Sequence, residues 1–509
     1  MIKKQTVLIA VFAVLFVLLL VAYLAVIRPL TNTPEETETE PPVETAPGEA
    51  VGMADKILVY PYVESKQIQS IAVRNKYGSY RVYRDADDTP QIEGHEGVAF
   101  EEEKMSSLMT SIGYPLAITK VGETDDLSEY GLTERTDENG KTVKPATFEM
   151  TTKSGEKYNG TIGDKIVTGN GYYFVYDGRP NTVYVLDVTV ADTILSPVEV
   201  LVSPMIVTPM SQNDYFLVHD FTLMQGDEVK VSFDYIEEKD RKDTEFVTQT
   251  YKMLYPQDLI PSAEAISGAM RSLYTAKSDG YMEVVCLGVD DAALKRYNIG
   301  GENGGYSLYY LYNDIENFVV ISPKNTDGSY YVASSLFQQI VKMDGRALDF
   351  LTWDLFDWVE APFFQMKIDF VKDISVEAGD YSVTYDLKGT GENLTVTERG
   401  TGHKPDVTNF RQFYKTLLYA SYEGQCNLTA DELVAYHAMD DSEAQVILTI
   451  HTSGGRELRY RFFRYSERRS YVEFNGTGEF YTLRTMADKI LADAKRVQSG
   501  EKITSTDKY

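Results

Sequence analysis

Ser154 and Lys157 stand in the order S-x-x-K, the spacing at which a lysine one helical turn on activates a serine for acyl transfer. Here the letters fall in text that reads as a hairpin turn. They recur at Ser499–Lys502, and neither K-T-G nor S-D-N accompanies them, so the motif does not support that chemistry. A G-x-S-x-G nucleophile elbow is absent. The five histidines, His95, His219, His403, His437 and His451, form no H-E-x-x-H or comparable pair, and carboxylates are too abundant for two neighbours to signal acid–base work. The run Gly300-Gly301-Glu302-Asn303-Gly304-Gly305 lacks the Lys-Ser/Thr of a phosphate loop, and Glu302 would repel a phosphate. It reads as a connector. No catalytic, cofactor-binding or metal-ligating residue is assigned on these grounds, no cofactor is implied, and the chain is expected not to be an enzyme.

What the chain must position, then, is surface. Thr6–Ile27 is an uninterrupted apolar run without a charge, reaching roughly 33 Å as a helix against a hydrocarbon core of about 30 Å. It is longer than the apolar region of a cleaved signal and lacks an A-x-A site, which favours a retained anchor. Lys3 and Lys4 place residues 1–5 in the cytosol and everything beyond Ile27 outside, giving a single-pass protein of the plasma (inner) membrane. Residues 28–54 then hold Glu35, Glu36, Glu38, Glu40, Glu44 and Glu49 among Thr and Pro, with little to bury: an acidic, self-repelling linker. The whole chain carries 49 Lys+Arg against 77 Asp+Glu, a net of −28, which argues against a nucleic-acid partner and against lying on anionic lipid. Its 37 tyrosines favour strands and half-wet surfaces.

Beyond the linker the hydrophobic pattern spells an α+β protein whose elements come round three times. The marker is an acidic pair followed by Leu-x-x-Tyr: Asp125, Asp126, Leu127, Tyr130; then Asp290, Asp291, Leu294, Tyr297; then Asp431, Glu432, Leu433, Tyr436. Leu and Tyr three apart share one face of a helical turn, and the acids suit its amino terminus. A helix is expected before each marker, at Glu101–Pro115, Ser262–Tyr274 and Val407–Tyr419. Before each helix comes a hairpin, at Ile68–Tyr83, Val218–Ile236 and Ile374–Val396. After each marker come strands with a paired-aromatic segment, at Tyr172–Val175, Tyr330–Val332 and Tyr471–Phe474. The reading is an N-terminal transmembrane helix, then three tandem diverged units of antiparallel sheet with one or two helices each, over 55–203, 204–359 and 360–500, with a tail at 501–509. The three leucines are expected to be buried with the tyrosines beside them. Cys286 and Cys426 occupy equivalent places in successive units, which predicts unpaired thiols.

The run LSEYGL at Leu127–Leu132, followed by ATFEMTTKSGEKYNGTIG and GYYFVYDGRPNTVYVLD, resembles the DUF4340 family of membrane-anchored bacterial proteins. The second and third units depart from it, with Tyr297-Asn298-Ile299 and Tyr436-His437-Ala438 in place of YGL and no Ile162-Gly163 step. The resemblance implies no catalytic residues. It implies company, since such proteins accompany gliding-motility-type ABC transporters, so the expected partners are a permease and its ATPase. Two other readings stay open: a binding module for a cell-envelope glycan or peptide, and an envelope hydrolase.

Overall fold

The computed structural model describes residues 50–51, 55–137, 140–241, 244–247, 249–256, 259–300 and 304–504. Thr6–Ile27 lies outside the described residues, as does the linker apart from 50–51; among the described residues no helix is long and apolar enough to cross a membrane. The fold is mixed helix and sheet, and its sheets are antiparallel. Two compact units divide the chain. One takes the described residues up to Arg84 with Ser106–Ser196; the other takes Asp85–Met105 with the described residues from Pro197 onward.

In the first unit stand a hairpin, β1 (Ile68–Asn75) and β2 (Gly78–Arg84), the part of helix α1 (Glu102–Gly113) from Ser106 onward, and strand β3 (Leu116–Glu123). A meander follows, β4 (Ala146–Thr152), β5 (Lys157–Lys165), β6 (Gly171–Tyr176) and β7 (Arg179–Asp187), closed by α2 (Val188–Ile194). Alternation sets the faces: Ala146, Phe148, Met150 and Thr152 point inward, and Thr147, Glu149 and Thr151 outward. The Asp187 side chain caps α2 by accepting from the Thr189 amide at 2.8 Å and pairs with Lys56. In the ten-stranded sheet these seven strands run in the order β2-β1-β4-β5-β6-β7-β3.

The second unit repeats the plan twice. Its middle sheet holds β8 (His219–Gln225), β9 (Glu228–Tyr235), helix α3 (Ala263–Thr275), β10 (Met282–Leu287), helix α4 (Asp291–Arg296), and β11 (Tyr306–Tyr312), β12 (Ile315–Ile321), β13 (Tyr330–Ser334) and β14 (Gln339–Met343). The third sheet holds β15 (Val371–Ala378), β16 (Tyr381–Lys388), helix α5 (Val407–Leu418), β17 (Gly424–Gln425), helix α6 (Ala430–His437), and β18 (Val446–Thr452), β19 (Glu457–Arg464), β20 (Arg469–Phe474) and β21 (Thr477–Leu483), closed by α7 (Arg484–Ser499). The orders are β9-β8-β11-β12-β13-β14-β10 and β16-β15-β18-β19-β20-β21-β17. Strand for strand this is the order of the first sheet.

One apolar core runs through both sheets of the second unit. Phe221, Phe233, Leu308 and Val341 of the middle sheet share it with Ile266, Met270 and Leu273 of α3. Ile374, Tyr385, Leu448 and Phe462 of the third sheet share it with Phe410 and Phe413 of α5 and Ile490 of α7. Trp358, Phe363, Phe364 and Met366, on the segment joining the sheets, belong to the same core. Tyrosine behaves differently from the expectation of half-wet strands. Tyr60, Tyr184, Tyr251, Tyr310, Tyr330, Tyr385 and Tyr471 are among the largest fully buried side chains, and buried phenols donate to backbone carbonyls: Tyr385 to Ala494 at 2.8 Å, Tyr414 to Met366 at 2.8 Å and Tyr460 to Phe363 at 3.2 Å. The ring fills the core while the hydroxyl satisfies a carbonyl that packing has cut off from water.

Because the core is shared, Phe221→Ala, which removes a ring stacked 4.4 Å from Phe233, should weaken both sheets together. The expected loss is about 3–5 kcal/mol, with the amides of β11 and β18 losing hydrogen-exchange protection at the same lowered urea concentration. Retention of the original midpoint by β18 would show two independent cores.

Candidate functional site

The Leu-x-x-Tyr turns occupy one place on each sheet, the outer face over the third meander strand. Tyr130 meets Tyr173 of β6 with ring centroids 4.8 Å apart, Tyr297 meets Tyr331 of β13 at 4.8 Å, and Tyr436 meets Tyr471 of β20 at 4.5 Å. The first two pairs are edge-to-face and the third is stacked. Leu127, Leu294 and Leu433 sit beside them, each in a small cluster separate from the main core. All three leucines are half-buried rather than fully buried, because a single turn laid on a sheet covers only its own footprint.

The departures from YGL have a backbone cause. In the first unit the turn is a short 3-10 segment, Ser128–Tyr130, ended by Gly131 at φ 66°. A β-carbon on Gly163 would lie 2.3 Å from the Tyr130 carbonyl oxygen, so the Ile162-Gly163 step lets β5 pass under this tight turn. On the middle sheet Asp290 caps α4 by accepting from Ala293 at 2.7 Å, and Asn298 takes the left-handed conformation at φ 54° that Gly131 takes on the first. On the third sheet Thr429 and Glu432 form a capping box, and α6 runs on through His437, which removes the need for a left-handed residue. Tyr297 and Tyr436 anchor their hydroxyls on strand carbonyls, Val285 at 2.9 Å and Arg464 at 3.2 Å.

The residues whose types suggested chemistry are engaged otherwise. Ser154 shares a 2.8 Å hydrogen bond with Thr152 in the hairpin turn, and Lys157 reaches across the ladder to Glu149 at 3.0 Å. Ser499 lies at the end of α7 and donates to the Arg496 carbonyl. Both cysteines are free; burial raises the Cys286 thiol and pushes Cys426 up to about 12, so neither is a ready thiolate. His437 Nε2 lies 2.8 Å from the Tyr471 hydroxyl, which itself donates to Gly478 at 2.6 Å, so the imidazole is the donor of that pair. His451 sits between Asp373 at 2.7 Å and Glu457 at 3.2 Å, and His219 between Asp234 at 3.1 Å and Glu237 at 3.4 Å; among the described residues no serine or cysteine bonds to either imidazole. Among the described residues no group of three His, Cys, Asp or Glu is placed to hold a metal. Residues 301–303 of the glycine-rich connector lie outside the described residues.

Sequence reasoning passed over the buried charges. Arg461 of β19 and Glu473 of β20 pair on the outer face, with Nε and Nη2 both meeting Oε2 of the carboxylate. The same guanidinium donates to the His437 carbonyl at 3.0 Å and the Met439 carbonyl at 2.7 Å, so it also caps the open end of α6. Asp493 of α7 is fully buried among Lys489 at 3.0 Å, Arg496 at 3.2 Å and Thr416 at 2.8 Å. The available signal was local: RYRFFR puts a charge in the middle of an apolar strand, where burial demands a partner on the next strand.

No protein family, curated protein or solved structure matches the chain.

Arg461→Met leaves the Glu473 carboxylate buried without its partner and should cost about 3–5 kcal/mol in urea unfolding. Replacing both, Arg461→Met with Glu473→Leu, should recover most of that loss, because the desolvated charge is gone as well. Equal losses in the single and double variants would mean that the guanidinium acts only through the α6 carbonyls.

Proposed function

We propose that this chain is a non-enzymatic extracytoplasmic accessory protein, held to the plasma (inner) membrane by Thr6–Ile27 and associated with an ABC transporter of gliding-motility type. The observation that carries the reading is the arrangement of an apolar run, an acidic linker and a long folded remainder, on a chain whose LSEYGL text resembles DUF4340. The geometry lends support to the negative half: the serines, cysteines and histidines that could have done chemistry direct their polar atoms at turns, carbonyls and neighbouring carboxylates. The recurring strand order and the recurring tyrosine pair support the further proposal that the three sheets descend from one duplicated unit, with divisions near residues 203 and 359. Accessory proteins act by contact, and a linker that keeps folded domains near a membrane raises their effective concentration for a partner there. A glycan-stacking role is less well supported, since Arg346 covers the ring of Tyr281 at 4.4 Å and Arg469 that of Tyr481 at 4.3 Å.

Mild detergent extraction followed by affinity capture of the full chain should bring down a permease and its ATPase in comparable amounts. Recovery of the chain alone, together with hydrolysis of a wall polymer that is lost on changing one Ser, Asp or Glu, would overturn the proposal in favour of a hydrolase.

A further inference from the structure

The three sheets can be compared rung by rung, starting three residues before the end of the first hairpin strand. In the first sheet that rung reads Ala72, Glu149, Asn159; in the third, Ser375, Thr449, Arg459; in the middle, Thr222, Tyr309, Phe318. All lie on the outer face. In the first and third sheets the long charged side chains of the rung are tied up, Glu149 by Lys157 at 3.0 Å and Arg459 by Asp441 at 2.5 Å. The middle rung carries no charge: the Thr222 hydroxyl is bonded to Ser232 at 2.9 Å, and the other two places are aromatic. Phe318 is 43% exposed, while Tyr309 and its strand neighbour Leu311 are half-buried. The strip does not stop there, because Val320, two residues beyond Phe318 on the same face, packs in the cluster that holds Tyr331 and Tyr297. An aromatic and aliphatic band therefore crosses the sheet from the Tyr297 turn to Tyr309.

At the Tyr297 end of this band Arg296 acts on the Tyr297 phenol, and Lys342, paired with Asp327 at 3.0 Å, stands opposite Tyr331; at the Tyr309 end the charges are acidic. Glu316 stands on the same strand and face as Phe318, opposite Leu311, and among the described residues no ion pair engages Glu316 or Asp220. Both act on the Tyr309 phenol, which is raised first by its surroundings excluding water and then by these two carboxylates, with no cation opposing them. Uncompensated acids at the Tyr309 end of the strip disfavour a second copy of this chain seated there by the same patch, which would bring the same acids to the contact, and disfavour anionic lipid for the same reason.

We infer that the outer face of the middle sheet, centred on Phe318 and Tyr309 and flanked by Glu316 and Asp220, is the docking surface for a partner protein, through a segment that presents apolar side chains with Lys or Arg beside them. This rests on the accessory-protein reading and names the surface it uses. The apolar strip supplies the area, and the carboxylates select and orient the partner. The other two sheets, charged at the same rung, serve as internal controls.

The test uses the full chain in its native membrane with p-benzoylphenylalanine in place of Phe318, and in parallel in place of Asn159 or Arg459. Illumination should give one discrete protein adduct from position 318 and none from the other two. The attached peptide, read by mass spectrometry, should carry Lys or Arg among apolar residues. Adding Glu316→Lys together with Asp220→Asn should cut the yield by about tenfold or more, with the thermal midpoint unchanged because both residues are exposed and Asn tolerates the left-handed backbone of position 220 at φ 48°. No adduct, an adduct to another copy of this chain, to lipid alone or to an acidic segment, or a yield indifferent to the charge changes, would overturn the assignment. If the unsubstituted chain still captures a permease and ATPase while position 318 gives no adduct, only the surface is wrong. If capture fails too, the accessory reading falls with it.

Discussion

A β-sheet has two faces, and a single long helix can cover only one of them. Everything distinctive in this protein follows from how the second face is handled. The inner face of each sheet is packed in the usual way, by alternating apolar residues against helices. Over the outer face the chain lays one turn, and the contact that holds it down is a tyrosine on a tyrosine: Tyr130 on Tyr173, Tyr297 on Tyr331, Tyr436 on Tyr471. The turn itself varies, from a 3-10 segment to a capped α-helix, while the ring contact stays. What remains beyond it is free to differ, and it does: polar and ion-paired in the first and third sheets, uncharged and mostly aromatic in the middle one.

The inner side shows the complementary solution. Large buried tyrosines could have left phenols stranded in the core, yet Tyr385, Tyr414 and Tyr460 each direct the hydroxyl at a backbone carbonyl from another element. These bonds tie α7 to β16, and the segment around Phe363–Met366 to α5 and β19, and so help to make one core of two sheets. Arg461 plays the same part outside, joining two strands and the end of α6 through one guanidinium. A fully satisfied buried ion of this kind fixes geometry more than it adds stability.

Much of this was legible in the sequence because it rests on periodicity. Hairpins, helices and meander strands follow from alternation and amphipathic spacing, and helices expected at Ser262–Tyr274 and Val407–Tyr419 form at Ala263–Thr275 and Val407–Leu418. The recurring Leu-x-x-Tyr points to the right turns. It does not give their depth, since burial depends on what lies above the turn, and neighbouring letters do not encode that. The uncharged rung of the middle sheet is illegible for a related reason: Tyr309 and Phe318 look like any strand residues until pairing puts them on the outer face. Arg461 and Glu473 likewise become partners only when two strands are aligned. Asn298 in place of glycine looks like divergence, yet it exchanges the two residues that best tolerate a left-handed backbone.

If the tyrosine pair is the interaction that closes the outer face of every sheet, the two rings of each pair must be energetically coupled. Double-mutant cycles at Tyr130/Tyr173, Tyr297/Tyr331 and Tyr436/Tyr471, each with tyrosine changed to leucine and stability read from urea unfolding, test this most directly. A favourable coupling of about 0.5–1.5 kcal/mol at all three pairs is the predicted result. Additive losses at all three would mean that the rings are merely neighbours and that the turns are held by something else.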